Sequence, residues 1–291
     1  RPGDVNQPSS FWLGQAVAQN PNSALAYAAR ANAHWRRGDP NQALADLDRA
    51  EQQDLTDGDV RLRVARELMN LDQLDRAREH LKVLQSQRPT EFAVWRISAQ
   101  LALRAASPEE MEEVADGGLA ALGADRWDFL PLAAELFIRS GQHERAKDCL
   151  AQMRQKDLLP AHVAYLEGML AEREGRLRDA IRHWREAISL KFPDPLGEPS
   201  PVPHVLVASA YTRLGDLQSA INELREAVAD YPSDLPSRLT LARLLVDARN
   251  WPAALEQARQ VKELDPNHPE ARMLEMQSLA RLLAVADPNL A

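Results

Sequence analysis

Groups that could catalyse a reaction are few and scattered in this sequence. Its seven histidines lie at irregular intervals, its single cysteine is Cys149, and it contains no glycine-rich phosphate loop and no His-Glu-x-x-His motif. His143 and Cys149 are six residues apart on a predicted helix, so their side chains point in different directions. A nucleophile and its base must meet within hydrogen-bond reach. We therefore expect no enzymatic activity, no cofactor and no metal.

The elements of the chain show a clearer pattern, which is easiest to see over residues 215–232. Gly215 marks a turn, Ala220 and Ala227 fall on one face at helical spacing, and Pro232 ends the helix. A preceding helix carries Ala208 on one side. The unit is therefore two short helices joined by a glycine turn, which cannot bury its apolar face alone.

This two-helix pattern recurs along the chain. The small residue of the first helix returns at spacings of 34, 34, 35, 34, 40 and 34 residues, as Ala31, Ala65, Ala99, Ala134, Gly168, Ala208 and Ala242. A small residue of the second helix follows twelve positions later, as Ala43, Ala77, Ala146, Ala180, Ala220 and Ala254, with Met111 as the exception. Two registers that agree over seven units indicate tandem repeats.

Further repeated positions are the turn glycines Gly38, Gly141, Gly175 and Gly215 and the terminators Pro89, Pro232 and Pro266. On these residues the sequence resembles the tetratricopeptide repeat (TPR) family over about 24–268. The resemblance implies an all-α fold, a right-handed α-solenoid (superhelix) of antiparallel helix pairs, in which the first helix of each pair lines a concave groove. It says less about function, since the family binds many unrelated partners.

The repeats also predict the domain organisation. We expect a linker at 1–8, a partial repeat or N-terminal cap helix at 9–23 in which Phe11 and Trp12 cover an apolar end, and a closing helix at 269–287 with a polar outer face. The seven full units are predicted at 24–57, 58–91, 92–126, 127–160, 161–194, 201–234 and 235–268. A proline-rich insertion near 193–203 is either a binding loop or a tolerated surface insertion.

The third unit departs most from the pattern. Met111 replaces the small residue, which should widen the helix crossing, and Gly117-Gly118 should interrupt the second helix. Ser107 and Glu110 form a capping-box pattern, in which Glu110 can return a hydrogen bond to the Ser107 amide. We therefore expect a bend or local softness between Met111 and Gly118.

Composition limits the classes of partner. The formal net charge of -8 argues against a broad nucleic-acid surface, and no apolar run is long enough for a membrane span. A single cysteine leaves the compartment open, cytoplasmic or exported/periplasmic, and Cys149 is expected to be a buried or half-buried thiol without a role in catalysis. The oligomeric state also stays open.

The family resemblance implies that ligands touch five recurring places on each first helix. These places hold eight arginines and five acids, and one place forms a ladder of Arg36, Arg104, Arg139, Arg173 and Arg213. Arginine pairs with carboxylates through two parallel hydrogen bonds, so an acidic peptide or a C-terminal carboxylate is the predicted ligand. Alternatively, these arginines simply lie near a helix C-terminal dipole. The candidate residues are Asn32, Trp35, Arg36, Arg66, Met69, Arg96, Gln100, Arg104, Arg139, Tyr165, Met169, Arg173, Arg213 and Arg243.

One subgroup of the family grips a terminal carboxylate with a Lys and an Asn of the first unit. Asn32 is present here, but Ala28 stands where that Lys should be, so this function is not carried over. Two hypotheses follow. The chain is a non-catalytic scaffold that binds a partner peptide or protein surface in its groove, or it is a structural, assembly or spacer segment of a larger complex.

Overall fold

The computed structural model describes residues 9–123, 127–193 and 197–286. The predicted linker at 1–8, residues 194–196 of the insertion and residue 287 lie outside the described residues. Within them the chain forms sixteen α-helices, one 3-10 turn and no strand, with an isolated bridge between Pro193 and Pro199. This confirms the predicted all-α fold. None of the described helices combines the length and apolar character needed to cross a bilayer.

The chain divides into two compact units, Arg1–Cys149 and Leu150–Ala291. In the first unit α2 packs on α3, α4 on α5, and α6 on α7, while the first helices α2, α4 and α6 also contact each other in that order. The helices of this unit are α1 (Ser9–Gln19), α2 (Ala24–Arg36), α3 (Pro40–Glu51), α4 (Gly58–Asn70), α5 (Leu74–Gln87), α6 (Phe92–Ala105), α7 (Pro108–Leu122), a 3-10 turn (Trp127–Phe129) and α8 (Leu130–Ser140).

The division falls within α9 (His143–Gln155). In the second unit α10 packs on α11, α12 on α13, and α14 on α15, and α16 closes against α14 and α15. These helices are α10 (Pro160–Arg173), α11 (Leu177–Ser189), α12 (Val202–Arg213), α13 (Leu217–Asp230), α14 (Leu235–Asp247), α15 (Trp251–Leu264) and α16 (Pro269–Ala286).

Helix boundaries follow local capping chemistry. The side chains of Ser23, Ser107, Asp216 and Asp234 each accept a hydrogen bond from a backbone N–H in the first turn of the following helix. These contacts satisfy amide groups that have no partner inside a helix. Between paired helices the four predicted turn glycines adopt positive φ angles of 77–88°, a conformation that glycine adopts without a steric cost.

The small residues that define the repeat are all buried where helices cross. Ala31, Ala65, Ala99, Ala134, Ala208 and Ala242 on the first helices, and Ala43, Ala77, Ala146, Ala180, Ala220 and Ala254 on the second, are at most 1% exposed. At Gly168 an added Cβ would lie only 2.3 Å from the indole Nε1 of Trp184, which is fully buried and donates to the Tyr165 carbonyl. Trp184 is therefore a core residue.

The third repeat unit, predicted at 92–126, corrects one prediction. Gly117 and Gly118 do not interrupt the second helix, because α7 runs unbroken from Pro108 to Leu122. Instead the two glycines make room for aromatic rings, since an added Cβ would lie 2.6 Å from Trp95 and 2.3 Å from Phe129. Glycine is required here by packing and not by backbone conformation.

The capping box of α7 is only half formed. The amide of Glu110 donates to the Ser107 hydroxyl at 3.2 Å. The Glu110 carboxylate turns away from the cap and accepts two hydrogen bonds from Arg78 on α5, at 2.7 and 3.0 Å. The Arg78 guanidinium gives the carboxylate two charge-assisted hydrogen bonds from a cation, whereas the Ser107 amide would give one from a neutral donor, so the long-range partner replaces the local one.

Both terminal helices expose apolar side chains. Phe11 and Trp12 on α1 pack edge-to-face on each other and are 43% and 50% exposed. The outer face of α16 is mixed and not uniformly polar as predicted, although Arg272, Gln277 and Arg281 are exposed on it. It exposes the apolar side chains Met273, Met276, Leu283 and Val285, which are 58%, 70%, 59% and 75% exposed.

The overfilling of a buried helix crossing should be measurable. We expect Ala220→Leu on α13 to lower the free energy of unfolding by about 1–3 kcal/mol, because the extra carbons enter a close-packed crossing. Ala229→Leu on the same helix is the control, since Ala229 is exposed. Urea unfolding followed by circular dichroism measures both variants, and equal stabilities for the two would contradict the role assigned to Ala220.

Candidate functional site

Three predicted arginines of the first unit are exposed and unpaired. Arg36, Arg66 and Arg96 lie on α2, α4 and α6, which are the three first helices in mutual contact. Among the described residues, none of the three forms an ion pair. Their guanidinium groups are therefore available to an external carboxylate.

Two other arginines of this unit already hold carboxylates. Arg104 lies 3.2 Å from Asp72, and Arg139 lies 2.9 Å from Glu135 one helical turn away. The arginine is exposed in both pairs, 45% for Arg104 and 40% for Arg139, and surface pairs of this kind contribute only about 0–1 kcal/mol. An external acid would have to compete with an internal one at these two sites.

Not every predicted residue of the first unit is accessible. The Asn32 amide donates to Glu67 at 2.7 Å, and Asn70 donates to the same carboxylate at 3.0 Å, so the buried Glu67 satisfies both amides. Met69 is 7% exposed and belongs to the core. Trp35 and Gln100, in contrast, remain exposed.

The second compact unit, Leu150–Ala291, also contains both paired and unpaired arginines among the predicted residues. Arg213 donates to Glu172 at 2.6 Å and Arg243 to Glu270 at 2.7 Å, whereas Arg173 is exposed and forms no ion pair with a described residue. The sequence alone did not reveal these partners.

The proline-rich insertion contacts the same unit through Phe192. The Phe192 ring stacks on Tyr165 at 4.3 Å between centroids and lies 5.0 Å from the His162 ring. The Ser200 amide closes this loop by donating to the Phe192 carbonyl at 2.8 Å. Tyr165 is therefore partly covered by the chain itself, and Met169 packs half-buried against the core around Trp184.

A recurring charged cluster was not foreseen from the sequence. In four places among the described residues a carboxylate lies next to both an arginine and a histidine, which come from one helix in two cases and from two helices in the others. The clusters are Asp46 with Arg30 and His34, Glu51 with Arg76 and His80, Glu167 with Arg154 and His183, and Glu223 with Arg185 and His204. Because the partners lie up to 38 residues apart, no short sequence motif predicts these clusters.

Glu223 shows the physics of these clusters best. It is 3% exposed, and its two oxygens contact His204 Nδ1 at 2.8 Å and Arg185 at 2.9 Å. Burial alone would raise the pKa of this carboxyl, but hydrogen bonds from His204 and Arg185 outweigh it and hold the pKa below its ordinary value. The ligand atoms of Glu223, His204 and Glu226 also lie within 4.8 Å of one another, as in a metal site. Since the guanidinium already neutralises Glu223, the geometry favours an ion-pair network there.

The remaining candidate for chemistry is Cys149. Its thiol is 3% exposed, and burial, assisted by Asp148, raises its pKa to about 11. A thiol in this environment stays protonated near neutral pH, so it is a poor nucleophile.

Comparisons with known proteins agree with this architecture of stacked helix pairs. A family model described as "Tetratricopeptide repeat" matches residues 34–101 and 211–281. The crystal structure of yeast Tom70 is similar over 97% of this chain and 60% of that one, with a TM-score of 0.68 and 14% identity. A tetratricopeptide repeat protein from Parabacteroides merdae is similar over 87% of this chain and 97% of its own, with a TM-score of 0.58 and 11% identity.

The APC/C hetero-tetramer Cut9-Hcn1 gives a TM-score of 0.53 at 13% identity over 92% of this chain. The chain spans 51% of that protein's length and 60% of Tom70's, and identities this low show the fold alone. No curated protein matches at the level of sequence.

The fold thus defines an α-solenoid built from helix pairs. Residues 34–101 and 211–281 of the chain match the tetratricopeptide repeat family, and the solved tetratricopeptide repeat protein above shares its fold. That family is typically a non-catalytic interaction scaffold, which suggests protein partners.

The Glu223 cluster predicts a pH dependence. Because the folded-state pKa of Glu223 is lowered from 4.5, the cluster contributes stability that is fully present above pH 4.5 and is lost as the pH falls through the lowered value. We expect wild type to be more stable than Glu223→Gln at pH 7, and the difference to shrink in more acidic solution.

Urea unfolding of both proteins at neutral and acid pH measures this difference, with Glu263→Gln as a control at an exposed site. A difference between wild type and Glu223→Gln that stays constant with pH would show that the carboxylate charge is not what stabilises the cluster.

Proposed function

We propose that this chain is a protein–protein interaction scaffold whose first helices bind an acidic partner segment. The observation that carries the proposal is a set of exposed arginines on three adjacent first helices, Arg36, Arg66 and Arg96, which form no ion pair with any described residue. A guanidinium offers five donors in a fixed planar arrangement, which suits side-chain and C-terminal carboxylates.

Neighbouring side chains support such a surface. Trp35 is 41% exposed on α2 beside Arg36 and offers apolar contact area, and Gln100 adds an exposed amide on α6. Arginine and tryptophan are residue types that dominate binding energy at protein interfaces. In a chain with a net charge of -8, three unpaired arginines on contacting helices form a local exception that could orient an acidic partner.

Charge reversal tests this proposal. Peptides selected from a random displayed library on the intact chain should be enriched in Asp and Glu. We expect Arg66→Glu with Arg96→Glu to weaken binding of a selected peptide at least about tenfold, as measured by fluorescence anisotropy. Both positions are exposed, so the fold should be retained.

Arg49→Glu with Arg63→Glu is the matched control. Both residues are exposed on α3 and α4 of the same unit, outside the predicted positions, and the change in net charge is identical. If the control weakens binding as much as the test pair, only the net charge matters, and the arginine surface is not the site.

A second candidate function is assembly into a larger complex. The observation that favours it is the row of exposed apolar side chains on α16, including Met273 and Met276. Soluble proteins rarely expose contiguous apolar surface without a partner.

Light scattering against concentration distinguishes this candidate from a monomeric receptor. An assembling chain should grow in mass with concentration, and Met273→Gln with Met276→Gln should reduce that growth because it removes apolar contact area. Constant monomer mass over the whole range would leave self-assembly without support.

A further inference from the structure

A cleft of about 430 Å³ opens between α5, α6 and α7, within the first compact unit, Arg1–Cys149. Leu81, Trp95, Leu101 and Val114 supply its apolar side chains, and Trp95 and Leu101 are 7% and 1% exposed. Its volume lies in the range of about 300–1,000 Å³ that is typical of ligand sites. The cleft extends along two turns of α5 and two of α7, so it can hold a large side chain and the backbone beside it.

The cleft borders the third repeat unit, 92–126, which departs most from the repeated pattern. Met111 is buried where the other units place alanine, and the Trp95 ring lies against the bare backbone of Gly117. A larger residue at a crossing keeps the two helices further apart. Trp95 and Gly117 line the cleft, and none of the other six predicted units has Trp or Gly at the corresponding positions.

The edge of the cleft on α7 is acidic. Three carboxylates of α7 are already engaged, Glu110 by Arg78, Glu112 by Gln142 and Asp116 by Arg145. Glu109 receives only the Ser107 hydroxyl, at 3.1 Å, and Glu113 has no hydrogen bond or ion pair with any described residue. These two carboxylates lie one helical turn apart at the mouth of the cleft.

The opposite edge, on α5, offers less free charge. Arg78 is held by Glu110 and Asp75, and Lys82 is the cleft's unpaired cation among the residues that the structure describes. The free carboxylates therefore outnumber the free cations, and the available charge favours a basic ligand over an acidic one.

We propose that this cleft is a second docking site, which binds a partner segment carrying a large apolar side chain with Lys or Arg about one helical turn away. The apolar side chain enters the cleft beside Trp95, and the cation bridges Glu109 and Glu113. The site is distinct from the arginine surface, because Arg96 and Gln100 are exposed on α6 whereas Trp95, Ser98 and Leu101 of the same helix line the cleft. The compact unit Arg1–Cys149 then binds an acidic and a basic partner segment at the same time.

Three labelled, alanine-based helical peptides test the proposal on the intact chain. The basic probe carries one Trp with Lys four positions before and after it, the acidic probe has Glu in place of both Lys, and the polar probe has Ser in place of Trp. We expect saturable binding of the basic probe in fluorescence anisotropy, with weaker binding of the other two. Weakening by Trp→Ser separates docking in the cleft from attraction to net charge alone.

Two sets of variants localise the binding. Glu109→Gln with Glu113→Gln should weaken the basic probe about fivefold, since exposed charge pairs contribute little individually. Glu226→Gln with Asp230→Asn is the matched control, because these acids are also exposed and four residues apart, on α13 of the other unit. This control should change the affinity by less than about twofold.

Gln85→Trp gives an independent test, since it places a ring at the edge of the cleft, and it should also weaken the basic probe. Circular dichroism and urea unfolding establish that this variant is folded. The proposal is overturned if the basic probe shows no saturable binding up to about 1 mM. Equal loss in the test and control pairs, or full binding by Gln85→Trp, would overturn it as well.

Discussion

The close approach of helix backbones is the constraint on which this structure depends. Helices that touch through alanine or glycine can bring their axes nearer than helices separated by larger side chains, and packed interiors tolerate neither voids nor excess volume. At each crossing the small residue is at most 1% exposed wherever it is alanine, and at Gly168 the missing Cβ makes room for the buried indole of Trp184. Because each repeat unit needs a small residue at its helix crossing, such residues recur in the sequence mostly every 34 positions.

A second constraint acts in the turn between paired helices. The φ angle is positive at Gly38, Asp72, Ala106, Gly141, Gly175, Gly215 and Arg249. These positions are separated by 34, 34, 35, 34, 40 and 34 residues, the same series as the small residues. A left-handed residue is thus needed in every unit, whatever its type. Glycine reveals the requirement in the sequence, but Asp72, Ala106 and Arg249 hide it, because such residues adopt this conformation only at a cost.

The fold could be predicted from the sequence because its determinants are local and repeated. The candidate site could be predicted only in part, because the state of each arginine depends on partners far along the chain. Arg213 and Glu172 are 41 residues apart, and Arg78 and Glu110 are 32 apart, so position in the repeat does not tell a paired arginine from an unpaired one. Similarly, Gly117 and Gly118 resemble helix breakers in the sequence, whereas the rings of Trp95 and Phe129 explain them in the structure.

The distinction between paired and unpaired arginines has a consequence for binding. An acidic ligand that contacts Arg104 must replace Asp72, so it gains only the difference between two similar exposed pairs, each worth about 0–1 kcal/mol. Arg66 and Arg96 form no ion pair with a described residue, so an acidic ligand there would displace no described carboxylate. Arg104 thus connects the third repeat unit to the second, whereas Arg66 and Arg96 make no such ion pair among the described residues. Departures from the repeat pattern also occur at the cleft, since Trp95 and Gly117 line it and no other predicted unit has these residue types at those positions. Specificity in such an array is therefore expected where individual residues differ from the repeated pattern.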